Sequence, residues 1–131
     1  MRSSKEELTI MRFISTAAHG LADFSVGFIV VGFPFYYGLT GASRATFVTL
    51  GLFVIVYSLL TDYELGLVRV LRIRFHLLLD ALFGLAMLAA PTVLRLPDDG
   101  RIPVYVIGVL SLLLSLTTKI RAQGTRSNAA I

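Results

Sequence analysis

Two histidines and two aspartates carry most of the chemistry open to this chain, and each sits inside an apolar run. His19 precedes Asp23 by four residues, and His76 precedes Asp80 by the same four. That spacing puts both side chains of a pair on one helix face, within reach of each other. Ionisable groups in apolar segments are costly, and they face a protein interior or a wet cavity instead of lipid. Three chemistries fit them. Each His can hydrogen-bond to the Asp on its own helix, so that two facing pairs form a buried polar clasp. Histidine titrates near neutral pH and His–Asp chains serve as relays, which suits transport of a proton, an ion or a small solute. Two histidines at one depth also suit a six-coordinate haem b or, with the aspartates, a divalent metal site with His19 and His76 as ligands. In a metal site each Asp can instead orient its His from behind. The sequence by itself calls for no cofactor.

These four residues belong to a longer repetition. His19, Asp23, Gly27 and Pro34 recur 57 positions later as His76, Asp80, Gly84 and Pro91. Glu7, Leu8, Arg12, Leu21, Leu39, Arg44, Gly51, Ser58, Leu59 and Thr61 recur without a gap as Glu64, Leu65, Arg69, Leu78, Leu96, Arg101, Gly108, Ser115, Leu116 and Thr118. On a helix, Arg12, His19, Asp23 and Gly27 lie within an arc of roughly 80°, as do Arg69, His76, Asp80 and Gly84. Arg12 and Arg69 are thus expected as rim cations above the His/Asp positions. Gly51, Ser58 and Thr61, with Gly108, Ser111, Ser115 and Thr118, form a second repeated face. Small and hydroxylated residues at that spacing read as helix packing, with pore lining as the alternative.

Composition supplies the medium. Of 131 residues, 56% are hydrophobic and 15% charged, well under the roughly 25% charged of soluble domains. Mean hydropathy is +0.80. A spanning helix takes roughly 17–25 apolar residues, and the uncharged stretches place four spans near 13–35, 45–61, 73–93 and 102–118. The expected fold is a single all-α membrane domain over 1–131. It has two tandem, parallel two-helix repeats at 5–61 and 62–118, followed by a polar tail at 119–131. Parallel repeats put equivalent residues at equal depth, so His19 and His76 should face one interior region in the cytoplasmic half.

Nine of the twelve Lys and Arg residues fall in the N-terminal segment, the middle connection and the tail. That places both termini in the cytoplasm. Glu6 and Glu7 interrupt the basic start, and no small-residue cleavage site ends the first apolar run, so the first span is expected to be retained. Phe33, Phe35, Tyr36 and Tyr37 suit an outer aromatic belt. Leu65, Val68, Leu71 and Phe75 interleave with Arg69, Arg72 and Arg74. That pattern fits either an amphipathic helix at the membrane surface, with Lys5–Arg12 as its weaker counterpart, or ordinary span ends with snorkelling arginines. No cysteine is present. The net charge of +4 sits at span ends and not on a solvated basic face, which argues against nucleic acid. The expected partner is the lipid bilayer, with self-association compatible. No G-x-S-x-G, P-loop or dinucleotide pattern occurs, and no catalytic residue is assigned, so the chain leans away from an enzyme.

The pattern His-x3-Asp-x3-Gly, the proline seven residues on, and Thr61-Asp62-Tyr63-Glu64-Leu65-Gly66 between the copies resemble bacterial SPW-repeat membrane proteins. The resemblance covers about 7–118 and implies a small four-helix protein of the bacterial inner membrane. It brings no established activity. The Ser-Pro-Trp positions read Phe33-Pro34-Phe35 and Ala90-Pro91-Thr92 here, so only the proline is kept.

Overall fold

The computed structural model describes residues 3, 4 and 11–120. Most of the Lys5–Arg12 segment, the repeat positions Glu7 and Leu8, and the tail beyond Ile120 lie outside the described residues. Within them the chain is all-α, with α1 at Thr16–Tyr36, α2 at Gly41–Leu60, α3 at Ile73–Val93 and α4 at Asp98–Thr117. All four are long and apolar enough to cross a membrane. The bounds of α3 and α4 fall 57 positions after those of α1 and α2. The second and fourth helices begin several residues before their expected starts. In α4, Asp98 and Asp99 occupy the first turn, where negative charge is favoured by the helix dipole.

Tight turns fold the helices into two hairpins. After α1, Leu39 N–H donates to Pro34 O at 2.7 Å and Gly38 N–H to Phe35 O at 3.3 Å. After α3, Leu96 N–H donates to Pro91 O at 3.0 Å and Arg95 N–H to Thr92 O at 3.3 Å. Both are Schellman closures, which require a left-handed residue just past the helix. Gly38 fills that position at φ 63° and Arg95 at φ 51°. Arg44 Nε and Arg101 Nε then donate to Leu39 O and Leu96 O at 2.8 and 2.9 Å, pinning the two turns alike. Pro34 and Pro91 sit in the last turn of their helices, where they help end them without a mid-helix kink.

Within a hairpin the helices touch backbone to backbone. A Cβ on Gly51 would lie 2.7 Å from Gly27 O, and one on Gly84 or Gly108 would lie 2.9 Å from the other's carbonyl oxygen. Side chains fill the wider space between hairpins. Toward the turns the filling is apolar: Val30, Phe33, Phe47, Met87, Leu96 and Val104 are buried together. Phe33 therefore belongs to the core and not to a surface belt, stacking on Phe47 with ring centroids 4.8 Å apart.

The connection between hairpins departs from the amphipathic-helix expectation. Residues 61–72 contain no helix. The last carbonyls of α2 lack partners within the helix, and the connection supplies them. Leu67 N–H and Val68 N–H donate to Leu59 O at 2.7 and 3.1 Å, and Val70 N–H and Leu71 N–H donate to Leu60 O at 2.9 and 2.8 Å. A chain so occupied cannot also be helical, and Arg69 turns it through φ 54°. Thr61 and Leu71 make a parallel bridge, and Ile14 and Thr118 make its equivalent between the start of α1 and the end of α4.

Gly51→Ala would press a methyl onto the α1 backbone, and overpacking of this kind costs roughly 1–3 kcal/mol. Gly32, where a Cβ meets open space, is the control. Gly51→Ala should lower unfolding stability in detergent while Gly32→Ala leaves it equal or slightly raised. Equal behaviour of the two would refute the close crossing.

Candidate functional site: a buried His/Asp tetrad

His19 and Asp23 lie on the fourth and eighth residues of α1, and His76 and Asp80 on the same residues of α3. The structure brings all four together at the end of the bundle where the start of α1, the end of α4 and the connection meet. Both histidines are 0% exposed, Asp23 5% and Asp80 4%. Burial of this degree demands that every polar atom be satisfied.

The strongest pairs are not those along one helix. His19 Nε2 lies 2.6 Å from Asp80 Oδ2, and His76 Nε2 lies 2.9 Å from Asp23 Oδ2. The same-helix distances, His19 to Asp23 and His76 to Asp80, are both 3.1 Å. Each histidine thus lies closest to the aspartate of the other hairpin, with the aspartate of its own helix in contact as expected. The two Nε2 atoms themselves are 3.3 Å apart, with ring centroids at 5.3 Å and planes at 70°.

Two threonines set the outer nitrogens. Thr118 Oγ1 is 2.6 Å from Leu114 O and 2.6 Å from His19 Nδ1. Thr61 Oγ1 is 2.6 Å from Tyr57 O and 2.7 Å from His76 Nδ1. Two oxygens that close must share a hydrogen, so each hydroxyl proton goes to the helix carbonyl. The threonine can then only accept from histidine. Both Nδ1 atoms therefore carry a proton, and both Nε2 atoms turn inward toward the carboxylates. Thr61 and Thr118 had read as packing residues, and their matched register was the signal of a shared task.

Two tyrosines complete the shell, and sequence reasoning missed both. Tyr57 OH donates to Asp80 Oδ1 at 2.5 Å, and Tyr63 OH donates to Asp23 Oδ2 at 3.3 Å. Their counterparts 57 positions on are Leu114 and Ile120, so a search for matched polar pairs passes over them. Tyr63 comes from the non-helical connection and is fully buried over Gly20, where a Cβ would lie 2.7 Å from its ring. Burial, reinforced by the Asp23 charge, pushes the Tyr63 phenol above its ordinary pKa and keeps it a donor.

Arg12 and Arg69 do not join the site. Neither lies in a described helix, so the helical stripe begins only at the histidines. Arg12 donates to Ser115 O at 3.2 Å and Thr118 O at 2.8 Å at the end of α4, where a cation meets unpaired carbonyls. Partial burial, and then the nearby Arg74, lower its pKa. Among the described residues, Arg69 donates to Gly66 O and Glu64 O in its own loop.

A cavity of about 10 Å³ adjoins the tetrad on the side facing the turns, lined by Asp23, Tyr57, Asp80 and Ser111 among apolar residues. That is room for about one water. Among the described residues, carboxylates stand against both Nε2 atoms at 2.6–3.1 Å.

No protein-family model, curated protein or solved structure matches this chain. Function is therefore read from the geometry.

Removing a donor to a buried carboxylate costs roughly 1–3 kcal/mol. Tyr57→Phe should fall in that range, and Tyr63→Phe below it because its bond is longer. Chemical unfolding of the two variants checks the order; a larger loss for Tyr63→Phe would contradict the assigned geometry.

Proposed function

We propose that this chain is a small four-span protein of the bacterial inner membrane whose functional centre is an enclosed, cation-holding site made by His19, Asp23, His76 and Asp80. One observation carries the reading: both imidazoles are locked with Nδ1 outward, so both Nε2 atoms and two carboxylates converge on one dry point. The cation is either protons shared between imidazole and carboxylate or a bound ion. Two tandem two-helix repeats with both termini cytoplasmic account for the paired construction. Large apolar side chains such as Leu21, Phe28, Phe53, Leu82, Val106 and Leu113 stand exposed around the bundle, which suits lipid and not water. The motif resemblance to SPW-repeat proteins supports the bacterial setting.

A conduit fits less well than an enclosed site. Beyond the one-water cavity, the bundle toward the turns is closed by Val30, Phe33, Phe47, Met87 and Val104. A purely structural clasp is the second reading, favoured by the 2.6 Å contact between His19 and Asp80 across the hairpins.

Removing one partner of a buried ion pair costs roughly 3–5 kcal/mol. His19→Ala and Asp80→Asn should each lose stability on that scale, and the double variant should lose far less than their sum. Proteoliposomes of the wild type should show no proton flux above protein-free vesicles. A flux abolished by Asp23→Asn/Asp80→Asn would sink the enclosed reading in favour of transport. The absence of native cysteine allows a direct topology test with single cysteines at Asp99 and Leu67. An impermeant maleimide on intact cells should label Asp99→Cys and not Leu67→Cys; the reverse pattern would overturn the cytoplasmic termini.

A further inference from the structure

The donor set at the tetrad allows a narrower statement, resting on the enclosed-site reading above. We infer that the tetrad binds one divalent transition-metal ion of the zinc class, through Nε2 of His19 and His76 and one carboxylate oxygen each from Asp23 and Asp80. The four donor atoms lie within 4.8 Å of one another.

Distance is the first argument. Zinc binds imidazole nitrogen and carboxylate oxygen at about 2.0–2.2 Å, so neighbouring donors in a tetrahedron stand roughly 3.3–3.5 Å apart. The two Nε2 atoms already stand at 3.3 Å. The shortest nitrogen–oxygen separations run from 2.6 to 3.1 Å, Asp80 offering Oδ2 to both imidazoles and Asp23 offering Oδ1 to His19 and Oδ2 to His76, and an ion would move these close pairs apart by less than an ångström.

Orientation is the second. A metal-bound histidine characteristically donates its other ring N–H to a fixed acceptor, which sets the tautomer and aims the lone pair. Thr118 and Thr61 do this for both rings, from the ends of two different helices. Tyr57 likewise holds Asp80 Oδ1 and leaves Oδ2 turned toward the imidazoles.

Charge and softness are the third. Two neutral imidazoles and two carboxylates carry a charge that a divalent ion cancels, as a dry interior requires. Imidazole suits Zn, Cu, Fe and Ni, whereas Mg and Ca favour all-oxygen cages. The adjoining one-water cavity leaves room for a single additional ligand.

The test uses the full chain in detergent, stripped with a chelator and titrated with cobalt chloride, then zinc chloride. The expected result is one ion per chain, a visible cobalt spectrum of tetrahedral intensity, and its loss as zinc displaces cobalt. Thr61→Val/Thr118→Val keeps all four ligands and should weaken zinc binding about 10–100-fold. His19→Ala or His76→Ala should abolish the spectrum, with circular dichroism showing that the variant is folded. Stripped, folded wild-type protein that takes up neither ion would overturn the metal assignment, and so would a cobalt spectrum that survives both histidine variants. Either result leaves the enclosed site standing, since that reading is judged by unfolding energies and flux. If the histidine variants fail to fold, the threonine pair decides: unchanged zinc affinity there overturns the inference.

Discussion

Two imidazoles and two carboxylates can be held away from water only if every one of their polar atoms finds a partner, and most of this fold's particulars follow from that demand. The atoms that meet it come from all four helices and from the loop between the hairpins. Thr61 and Thr118, the C-capping residues of α2 and α4, take the outer nitrogens. Tyr57 and Tyr63 take carboxylate oxygens. The loop must therefore be drawn inward at Tyr63, and Gly20 must lack a side chain so that the ring can be seated. A helix across residues 61–72 would satisfy the arginine pattern but would leave Leu59, Leu60 and Asp23 short of partners.

The bundle divides its adhesion between two kinds of contact. Inside each hairpin the helices approach through glycine and hold by close packing. Between hairpins an apolar layer of Phe33, Phe47 and Met87 occupies one half and the tetrad the other. Apolar layers tolerate sliding, whereas a set of short, directional bonds has one register. Because the shortest histidine–aspartate contacts cross from hairpin to hairpin, the polar half fixes how the hairpins are paired.

The four membrane-length helices of the described residues and the meeting of the four ionisable residues were legible in the sequence, though the starts of α2 and α4 were not. Apolar run length and matched spacing report directly on helices and their faces. Other features depended on three-dimensional competition that spacing does not record. Arg12 and Arg69 match in register, yet one caps α4 and the other stays in its loop, because the chain between hairpins is covalently continuous on one side only. Tyr57 and Tyr63 have no polar counterparts, and their task appears only when the other hairpin is in place. The preference for cross-hairpin pairing over i, i+4 pairing depends on where the threonines pull each ring.

The two parallel bridges have a consequence for connectivity. At one the chain continues through residues 61–72; at the other Ile14 and Thr118 pair with nothing covalent between them nearby. The same junction is thus built once with a link and once without, in the manner of an isologous two-fold contact. Each hairpin carries half of the tetrad and is incomplete alone. A chain severed after Leu65 would leave one hairpin on each piece, with the His/Asp contacts still running between the two. Either hairpin alone would hold two of the four ionisable residues and leave them without the partners that the other supplies.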